Sequence, residues 1–329
     1  MRRKLTLTLA LAVVLAACGG GAEPPASTVP PETSTTSVST TTTTAPTTTT
    51  TVDDGFPVTV AAANGDVTVE ERPVAVVSLS PTATEMLFAI GAGDQVVAVD
   101  DQSNYPEEAP TTDLSGFTPN VEAIAAFEPD LVVVSFDPGD LVSSLEALGI
   151  PVLLQPAAVS LDDVYAQIEQ LGAATGNLAE AAALVAEMQS EIDRIVASVP
   201  DRDEPLTYYH ELDPTFYSVT SSTFIGQVYS LLGLESIADP ADTDGFGYPQ
   251  LSVEYILDQD PDLIFLADTK CCGQSPETVA ERPGWSELTA VRSGAVIPLD
   301  DDIASRWGPR IVEFLGVVAE AVATLEPVG

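Results

Sequence analysis

Two segments of the chain repeat the same short pattern. Each has a polar residue before an amphipathic stretch, a glutamate two residues after it and a Pro-Asp pair that leads into an apolar run. The segments span residues 120–132 and 252–264, and their glutamates are Glu122 and Glu254. A polar N-cap, an acidic first turn and a proline predict a helix of about two turns followed by a buried strand. The repeat therefore predicts two similar α/β lobes, each with an acidic residue at an equivalent position.

The first residues have the features of a secretion signal. Residues 2–4 are basic, and residues 5–15 form an apolar stretch that is too short to remain as a membrane-spanning helix. The stretch ends in Leu-Ala-Ala followed by Cys18, which resembles a bacterial lipobox. We therefore expect residues 1–18 to be a lipoprotein signal peptide and Cys18 to be the lipidated residue. An ordinary signal peptide with an incidental cysteine is the alternative.

The next segment, residues 19–55, is rich in Thr, Ser, Pro and Gly. A segment with so few large apolar side chains cannot bury enough surface to offset the entropy lost on ordering. It is typical of a disordered tether. Together with lipidation, it predicts a domain held by its lipid at the outer, extracytoplasmic face of the cytoplasmic membrane.

The remaining chain, about 275 residues, is long enough for two lobes that each have a core. We expect an N-terminal α/β lobe at 56–160, a helical region at 161–200 and a C-terminal α/β lobe at 201–329. Strand-helix alternation predicts mostly parallel sheets with helices on both faces. Apolar residues at three-to-four spacing predict a helix over 177–199, about 30 Å long, that connects the lobes stiffly.

Four stretches together resemble one known family. They are a strand and helix at 78–91, a loop at 103–106, the two Glu–Pro-Asp segments, and a loop at 248–252. Over residues 73–325 the chain resembles the class III solute-binding proteins of ABC importers, which bind vitamin B12 and iron–siderophore complexes. The resemblance implies two Rossmann-like lobes joined by a single long α-helix, with the ligand between them.

The resemblance also implies a partner for the two glutamates. In this family such residues lie at the outer tips of the lobes and pair with arginines on the membrane subunits of the permease. Two separated carboxylates facing basic pockets fix orientation and speed encounter. We therefore expect Glu122 and Glu254 to be docking residues. The alternative is that each carboxylate only interacts with its own helix dipole.

The ligand that the resemblance implies is a corrinoid or a ferric siderophore, with haem as a further alternative. Such flat-sided chelates require aromatic faces and a few polar groups, and the protein itself needs no intrinsic cofactor. The candidate ligand-binding residues are Tyr105, Phe117, Tyr217, Tyr248, Arg306 and Trp307. In siderophore-binding relatives an arginine near Arg306 meets the anionic oxygens of the chelate. The alternative for Arg306 is an ion pair with one of the aspartates at 300–302.

Histidine and cysteine are scarce. His210 is the only histidine, which excludes a multi-histidine zinc site, and no metal site is expected. Axial ligation of a bound metal by His210 remains an alternative. Cys271 and Cys272 are adjacent and would lie in an oxidising compartment, which favours a vicinal disulfide over two free thiols.

Other classes of function are less consistent with the sequence. A formal charge of −39 argues against nucleic acid as a partner. The chain has no Gly-x-Ser-x-Gly, no phosphate-binding glycine motif and a single histidine, so we expect a binding protein rather than an enzyme. A monomer is expected. A cell-surface enzyme or structural module without a transport role is the alternative.

Overall fold

A computed structural model describes residues 55–200 and 202–325. The predicted signal peptide, Cys18 and nearly all of the predicted tether lie outside the described residues. No helix within the described ranges combines the length and the apolar character that crossing a membrane requires.

A β-hairpin precedes the first lobe. Strands β1 (Val58–Ala62) and β2 (Gly65–Val69) pair antiparallel through a two-residue loop that ends in Asn64. The following Gly65 has φ of 108°, and Asn-Gly is a strong hairpin signal because it tolerates this left-handed region. The Asn64 amide donates to the carbonyl of Val152 (2.9 Å) and accepts from the N–H of Leu154 (3.1 Å). The hairpin is therefore attached to the edge of the first sheet.

The first sheet has four parallel strands, with β3 at its interior. The strands are β3 (Val76–Leu79), β4 (Val96–Val99), β5 (Leu131–Val134) and β6 (Val152–Leu154), in the order β4-β3-β5-β6. The helices are α1 (Pro81–Ala89), α2 (Val121–Ala125) and α3 (Leu141–Glu146). Strands β3 and β5 are buried along their whole length, as expected for a parallel sheet covered on both faces.

Two longer helices follow the first sheet. They are α4 (Leu161–Thr175) and α5 (Leu178–Ser198), separated by Gly176, which ends α4 with φ of 75°. The Ser160 hydroxyl caps α4 by accepting from the N–H of Asp163. The predicted helix at 177–199 is confirmed, and α5 leads from the first lobe to the first strand of the second.

The second sheet has the same strand order as the first. Its strands are β7 (Thr207–Glu211), β8 (Glu235–Ser236), β9 (Leu263–Leu266) and β10 (Val296–Pro298), in the order β8-β7-β9-β10 and all parallel. Its helices are α6 (Phe224–Ser230), α7 (Val253–Gln259), α8 (Thr269–Cys272), α9 (Pro276–Ala280), α10 (Thr289–Ser293), α11 (Asp301–Ser305) and α12 (Ile311–Thr324). Short 3₁₀ turns lie at Gly93–Gln95, Asp239–Ala241 and Trp285–Glu287. The expected fold of two Rossmann-like lobes joined by one long helix is therefore confirmed.

The repeated Pro-Asp pair has the same structural role in both lobes. One carboxylate oxygen of Asp130 accepts from the backbone N–H groups of Val74 (2.8 Å) and Ala75 (3.0 Å). The corresponding oxygen of Asp262 accepts from the N–H (2.8 Å) and the hydroxyl (2.9 Å) of Thr207. In each lobe the aspartate thus fixes the start of the first strand, which explains why the pattern occurs twice.

The core is continuous between the two lobes. Side chains from α1 (Met86), α4 (Ile168), α5 (Ile192) and α12 (Phe314) belong to one buried apolar cluster that extends through the second lobe. The other face of the first sheet packs against α2 and α3 in a smaller cluster of its own. A helical connection packed into a shared core resists bending more than a loop hinge does.

Candidate functional site

The carboxyl ends of the strands of both sheets meet at one side of the molecule. Asn104 follows β4 of the first lobe, and its amide donates to a carboxylate oxygen of Asp302, which follows β10 of the second lobe (3.1 Å). In open α/β sheets, ligands bind at the carboxyl ends of the strands. We use the term interlobe cleft for the region between these strand ends.

Exposed aromatic side chains of the first lobe are found on these loops. Tyr105 follows Asn104 directly and is 43% exposed. Phe117 is 68% exposed, and its ring centroid lies 5.7 Å from that of Phe136, which follows β5 and is 40% exposed. Phe136 was not among the residues expected from the sequence, although it lies just after a buried strand. The pair offers an apolar surface that the rest of this lobe leaves open.

The second lobe contributes two tyrosines on neighbouring segments. Tyr217 forms an antiparallel bridge with Gln250, and the N–H of Ser218 donates to the carbonyl of Pro249 (3.0 Å). This pairing brings Tyr217 and Tyr248 together, and they are 41% and 46% exposed. Burial of the Tyr248 ring raises the pKa of its phenol, so the hydroxyl stays neutral and can donate. Contact of these tyrosines with ligand remains a prediction.

A buried carboxylate of the first lobe lies between two arginines of the second. The Glu85 side chain on α1 is only 2% exposed. Arg306 donates to one of its oxygens (2.8 Å), and the Nε of Arg310 donates to the other (2.9 Å). The Arg310 guanidinium also lies 4.1 Å from the centre of the Tyr105 ring, a cation–π distance. We call Glu85, Arg306 and Arg310 the interlobe ion triad.

The two Nη groups of Arg306 also bind other protein groups. They reach Asn104 Oδ1 (2.9 Å), the carbonyl of Gln102 (3.0 Å) and Asp302 Oδ1 (2.8 Å). The Arg306 side chain is 10% exposed. The structure thus shows the ion pair with Asp302 that was the alternative for Arg306, and ligand contact by this residue stays a prediction.

Lys270 extends the same charged region. Its ammonium group binds Asp300 (2.7 Å) and Asp302 (2.8 Å). Burial alone would raise the pKa of the Asp302 carboxyl, but the hydrogen bond from Lys270 and the nearby Arg306 hold it below its usual value. Asp302 is therefore ionised at neutral pH and is neutralised by protein cations.

Trp307 lies next to the triad. Its indole N–H donates to the side-chain oxygen of Gln167 on α4 (2.9 Å), which ties the second lobe to the helical region. The ring is half-buried. Its predicted role as a stacking face for ligand therefore remains open.

The two repeated glutamates lie on the surface, each in the first turn of a helix. Glu122 follows the N-cap Asn120 of α2, whose side chain accepts from the N–H of Ala123 (3.0 Å). Glu254 follows the N-cap Ser252 of α7 in the same way, and both glutamates are exposed. Neither carboxylate is buried, as a docking role requires.

His210 lies in β7 and is fully buried. Its Nδ1 lies 2.8 Å from the hydroxyl of Tyr229, and burial lowers the pKa of the imidazole to about 3. A fully buried ring cannot reach a ligand in the cleft, so the structure contradicts the alternative of axial ligation. The described residues contain no group of three His, Cys, Asp or Glu side chains arranged to hold a metal ion.

Cys271 and Cys272 form a disulfide in α8 and are exposed. The Asp301 carboxylate accepts from the N–H groups of Thr269 (2.8 Å) and Cys271 (2.9 Å), so it caps this short helix. The disulfide directly follows Lys270, which carries the ion pairs to Asp300 and Asp302.

A second buried charged group, which was not expected from the sequence, lies inside the second lobe. The fully buried Glu211 carboxylate pairs with Arg282 (2.6 Å), whose guanidinium stacks on Trp285 at 4.5 Å. Asp268 is also fully buried, and burial together with the nearby Glu211 charge raises its pKa to about 7. This group is adjacent to α8 and has no equivalent in the sequence pattern of the first lobe.

A cavity of about 680 Å³ lies at the opposite edge of the first sheet. It is lined by β2 and by residues at the amino ends of the strands, including Val74, Pro129 and Pro151. Since parallel sheets bind ligands at the other edge, we do not assign the ligand to this cavity.

Comparisons with known proteins agree with this geometry. A model of the periplasmic binding protein family matches residues 76–303. The chain is 34% identical over 277 residues to YvrC of Bacillus subtilis, an uncharacterized ABC transporter substrate-binding lipoprotein, covering 81% of this chain and 86% of that protein. It is 35% identical over 276 residues to a cobalamin-binding protein of Halobacterium salinarum, covering 81% and 74%.

A solved structure is similar to the same part of the chain. The periplasmic vitamin B12 binding protein BtuF of Vibrio cholerae superposes with a TM-score of 0.61 at 26% identity, covering 77% of this chain and 97% of that one. The two chains therefore share the two-lobed fold over nearly the whole of the solved protein.

Proposed function

Since the chain belongs to the periplasmic binding protein family, we propose that it is the substrate-binding subunit of an ABC importer and captures a cobalamin-type corrinoid in the interlobe cleft. The observation that carries this proposal is the set of exposed aromatic rings on facing strand ends. Tyr105, Phe117 and Phe136 extend from one lobe, and Tyr217 and Tyr248 from the other. Large planar chelates bind well to such surfaces.

Two relatives support a corrinoid in particular. The Halobacterium salinarum and Vibrio cholerae proteins are described as binding cobalamin and vitamin B12. A ferric siderophore is the second candidate, and haem on the same fold is the third. In each case the chelate is transported and is not an intrinsic cofactor, and the protein binds rather than converts it.

A ligand panel tests this assignment. The full chain is titrated with cyanocobalamin, a ferric siderophore and haem, and the visible spectrum and the melting temperature are recorded. A ligand at a thousandfold excess over its dissociation constant adds about 4 kcal/mol to the free energy of unfolding. Stabilisation by cyanocobalamin supports the proposal. Stabilisation by haem or by a siderophore alone would assign that chelate as the ligand instead of the corrinoid. No response to any of the three ligands would contradict the capture function.

The proposed partner is the pair of permease membrane subunits, which Glu122 and Glu254 contact from one lobe each. Both carboxylates are exposed and occupy equivalent helix starts, which supports a symmetric docking surface. Charge pairs of this kind mainly set orientation and encounter rate. The E122K/E254K variant should abolish uptake of cyanocobalamin and leave its dissociation constant unchanged.

A matched control has the same change of charge elsewhere. Glu180 and Glu187 are also exposed glutamates, both on α5. E180K/E187K should transport normally. If the docking variant loses affinity as much as uptake, or if the control loses uptake equally, docking through Glu122 and Glu254 is wrong.

The proposal includes a lipid anchor at Cys18 and a monomeric domain at the outer face of the cytoplasmic membrane. The lipobox-like sequence supports the anchor. Cys18→Ala should release the protein from the membrane fraction without altering ligand affinity. Retention of the variant in the membrane would contradict lipidation at this residue.

A further inference from the structure

The interlobe ion triad brings charge of opposite sign from the two lobes into a buried position beside the cleft. Glu85 is 2% exposed, and the side chains of Arg306 and Arg310 are 10% and 13% exposed. Removing the water from charges is costly unless they are paired and hydrogen-bonded. Both arginines donate to the Glu85 carboxylate, and Arg306 also donates to three further protein acceptors.

The backbone leaves room for this arrangement. A Cβ atom at Gly308 would lie 3.2 Å from Glu85 Oε2, closer than an ordinary contact. Glycine at this position lets the chain between Arg306 and Arg310 approach the carboxylate, so that both arginines reach it. The triad is thus supported by backbone close packing as well as by its hydrogen bonds.

The remaining charges near the cleft are mostly negative. Lys270 is bound to Asp300 and Asp302, so its charge is neutralised as well. Exposed carboxylates follow the strands of the first sheet at Asp101 and Asp137. An anionic chelate entering this region would meet carboxylates and arginines that already have partners.

We propose that Glu85 is a specificity-determining residue: it pairs with Arg306 and Arg310 of the facing lobe and, together with the nearby aspartates, balances their charge, so that the cleft selects neutral or cationic metal chelates and rejects anionic ones. This inference rests on the proposed function and narrows its ligand class. It explains why Arg306 and Arg310 lie beside the cleft without requiring that they bind an anionic ligand. It also distinguishes neutral from anionic siderophores, which the fold alone does not.

The test compares two ferric chelates of similar size, one neutral and one anionic. The full chain is titrated with a neutral ferric tris-hydroxamate and with a trianionic ferric tris-catecholate, and cyanocobalamin serves as the reference ligand. The wild-type protein should bind the neutral chelate at least tenfold more tightly than the anion. Since the rejection is electrostatic, the ratio should shrink as salt is raised. Equal or tighter binding of the anion by the wild-type protein overturns the proposal.

Two variants locate the effect. E85Q keeps the shape of the side chain and releases the arginines, so the affinity for the anion relative to the neutral chelate should rise at least tenfold. In E85Q/R306Q/R310Q the ratio should fall to the wild-type value or below it, because neither arginine remains and the variant carries one positive charge fewer than the wild-type protein. An unchanged ratio in E85Q, or a rise that persists in the triple variant, contradicts the proposal. If E85Q does not fold, the wild-type ratio and its salt dependence decide the question.

Failure of this inference is distinguishable from failure of the proposed function. If cyanocobalamin binds the wild-type protein but the chelate ratio does not follow Glu85, only the role of Glu85 is wrong. If no chelate and no corrinoid binds, the capture function is contradicted and the selectivity with it.

Discussion

The two lobes have the same strand order and begin their first helix in the same way, but they differ at one buried position within that helix. Ser80 caps α1 by accepting from the N–H of Ala83, and Thr223 caps α6 by accepting from the N–H of Gly226. Counting from these caps, Glu85 in the first lobe corresponds to the buried Val228 in the second. The same place in the fold thus holds a charge in one lobe and an apolar side chain in the other.

The repeat is therefore structural, whereas the contacts between the lobes are specific to each lobe. The aspartates that fix the first strands, Asp130 and Asp262, are equivalent because both lobes need the same strand start. Glu85 has no acidic counterpart because only its own lobe faces Arg306 and Arg310. The asymmetry at the cleft is therefore superimposed on a symmetric frame.

The largest expected effect comes from making the first lobe like the second at this position. Glu85→Val leaves two arginines buried without their carboxylate, which should lower the free energy of unfolding by about 4 kcal/mol. Urea denaturation measures this change in the free energy of unfolding. Val228→Ala is the control for the second lobe, where only packing is lost. A loss below about 1 kcal/mol for Glu85→Val would show that the triad is not buried as described.

A second substitution tests the start of α6. A Cβ atom at Gly226 would lie 1.9 Å from the carbonyl oxygen of Thr220, so Gly226→Ala forces the backbone to move and should cost about 3 kcal/mol. The equivalent Ala83→Gly in the first lobe meets no clash and should cost about 1 kcal/mol. Thermal and urea unfolding compare the two. Equal losses of unfolding free energy in the two variants would contradict the close contact between Gly226 and the Thr220 carbonyl.

A third pair tests the symmetry itself. Asp130→Ala and Asp262→Ala each remove a carboxylate that accepts two hydrogen bonds, and each should destabilise by about 2 kcal/mol. Asp258→Ala, at an exposed site on α7, should have little effect. If one aspartate matters and its counterpart does not, the equivalence of the strand starts is wrong.

The smallest effect is a pH dependence confined to the second lobe. The folded protein raises the pKa of Asp268 from 3.8 to about 7, so the folded state favours the protonated carboxyl. Its stabilisation is complete below pH 3.8 and is lost as the pH rises to about 7. The buried His210, with its pKa lowered to about 3, acts oppositely and loses stabilisation as the pH falls below 6.5.

Asp268→Asn separates the two contributions because asparagine does not ionise. Its melting temperature relative to the wild-type protein should increase between pH 5.5 and pH 8. The same difference for the exposed Asp258→Asn should stay constant over this range. A pH-independent difference for Asp268→Asn would show that the carboxyl is ionised throughout.

Much of this fold could be predicted because local patterns determine it. The four-residue run at β5 and the helix α5 follow directly from apolar spacing, and the Pro-Asp repeat marked the two lobes. The hairpin β1–β2 was missed, although Asn64 and Gly65 carry the signal, because it adjoins a polar segment without apolar periodicity.

The cleft was predicted less completely because its contacts join distant parts of the chain. Glu85 and Arg306 are 221 residues apart, and no local pattern connects them. Arg306 was expected to meet a ligand because charge is visible in a sequence but its partner is not. Phe136 was missed because a single aromatic after a buried strand resembles a continuation of that strand.

The central claim is that the exposed aromatic rings of both lobes hold one planar metal chelate. Calorimetric titration of cyanocobalamin into the full chain, compared with the Tyr105→Ala/Tyr248→Ala variant, tests it most directly. We predict one bound ligand per chain with micromolar or tighter affinity, and a loss of affinity of at least tenfold in the variant, at unchanged melting temperature. Absence of binding to the wild-type protein, or equal affinity in the variant, would contradict the claim.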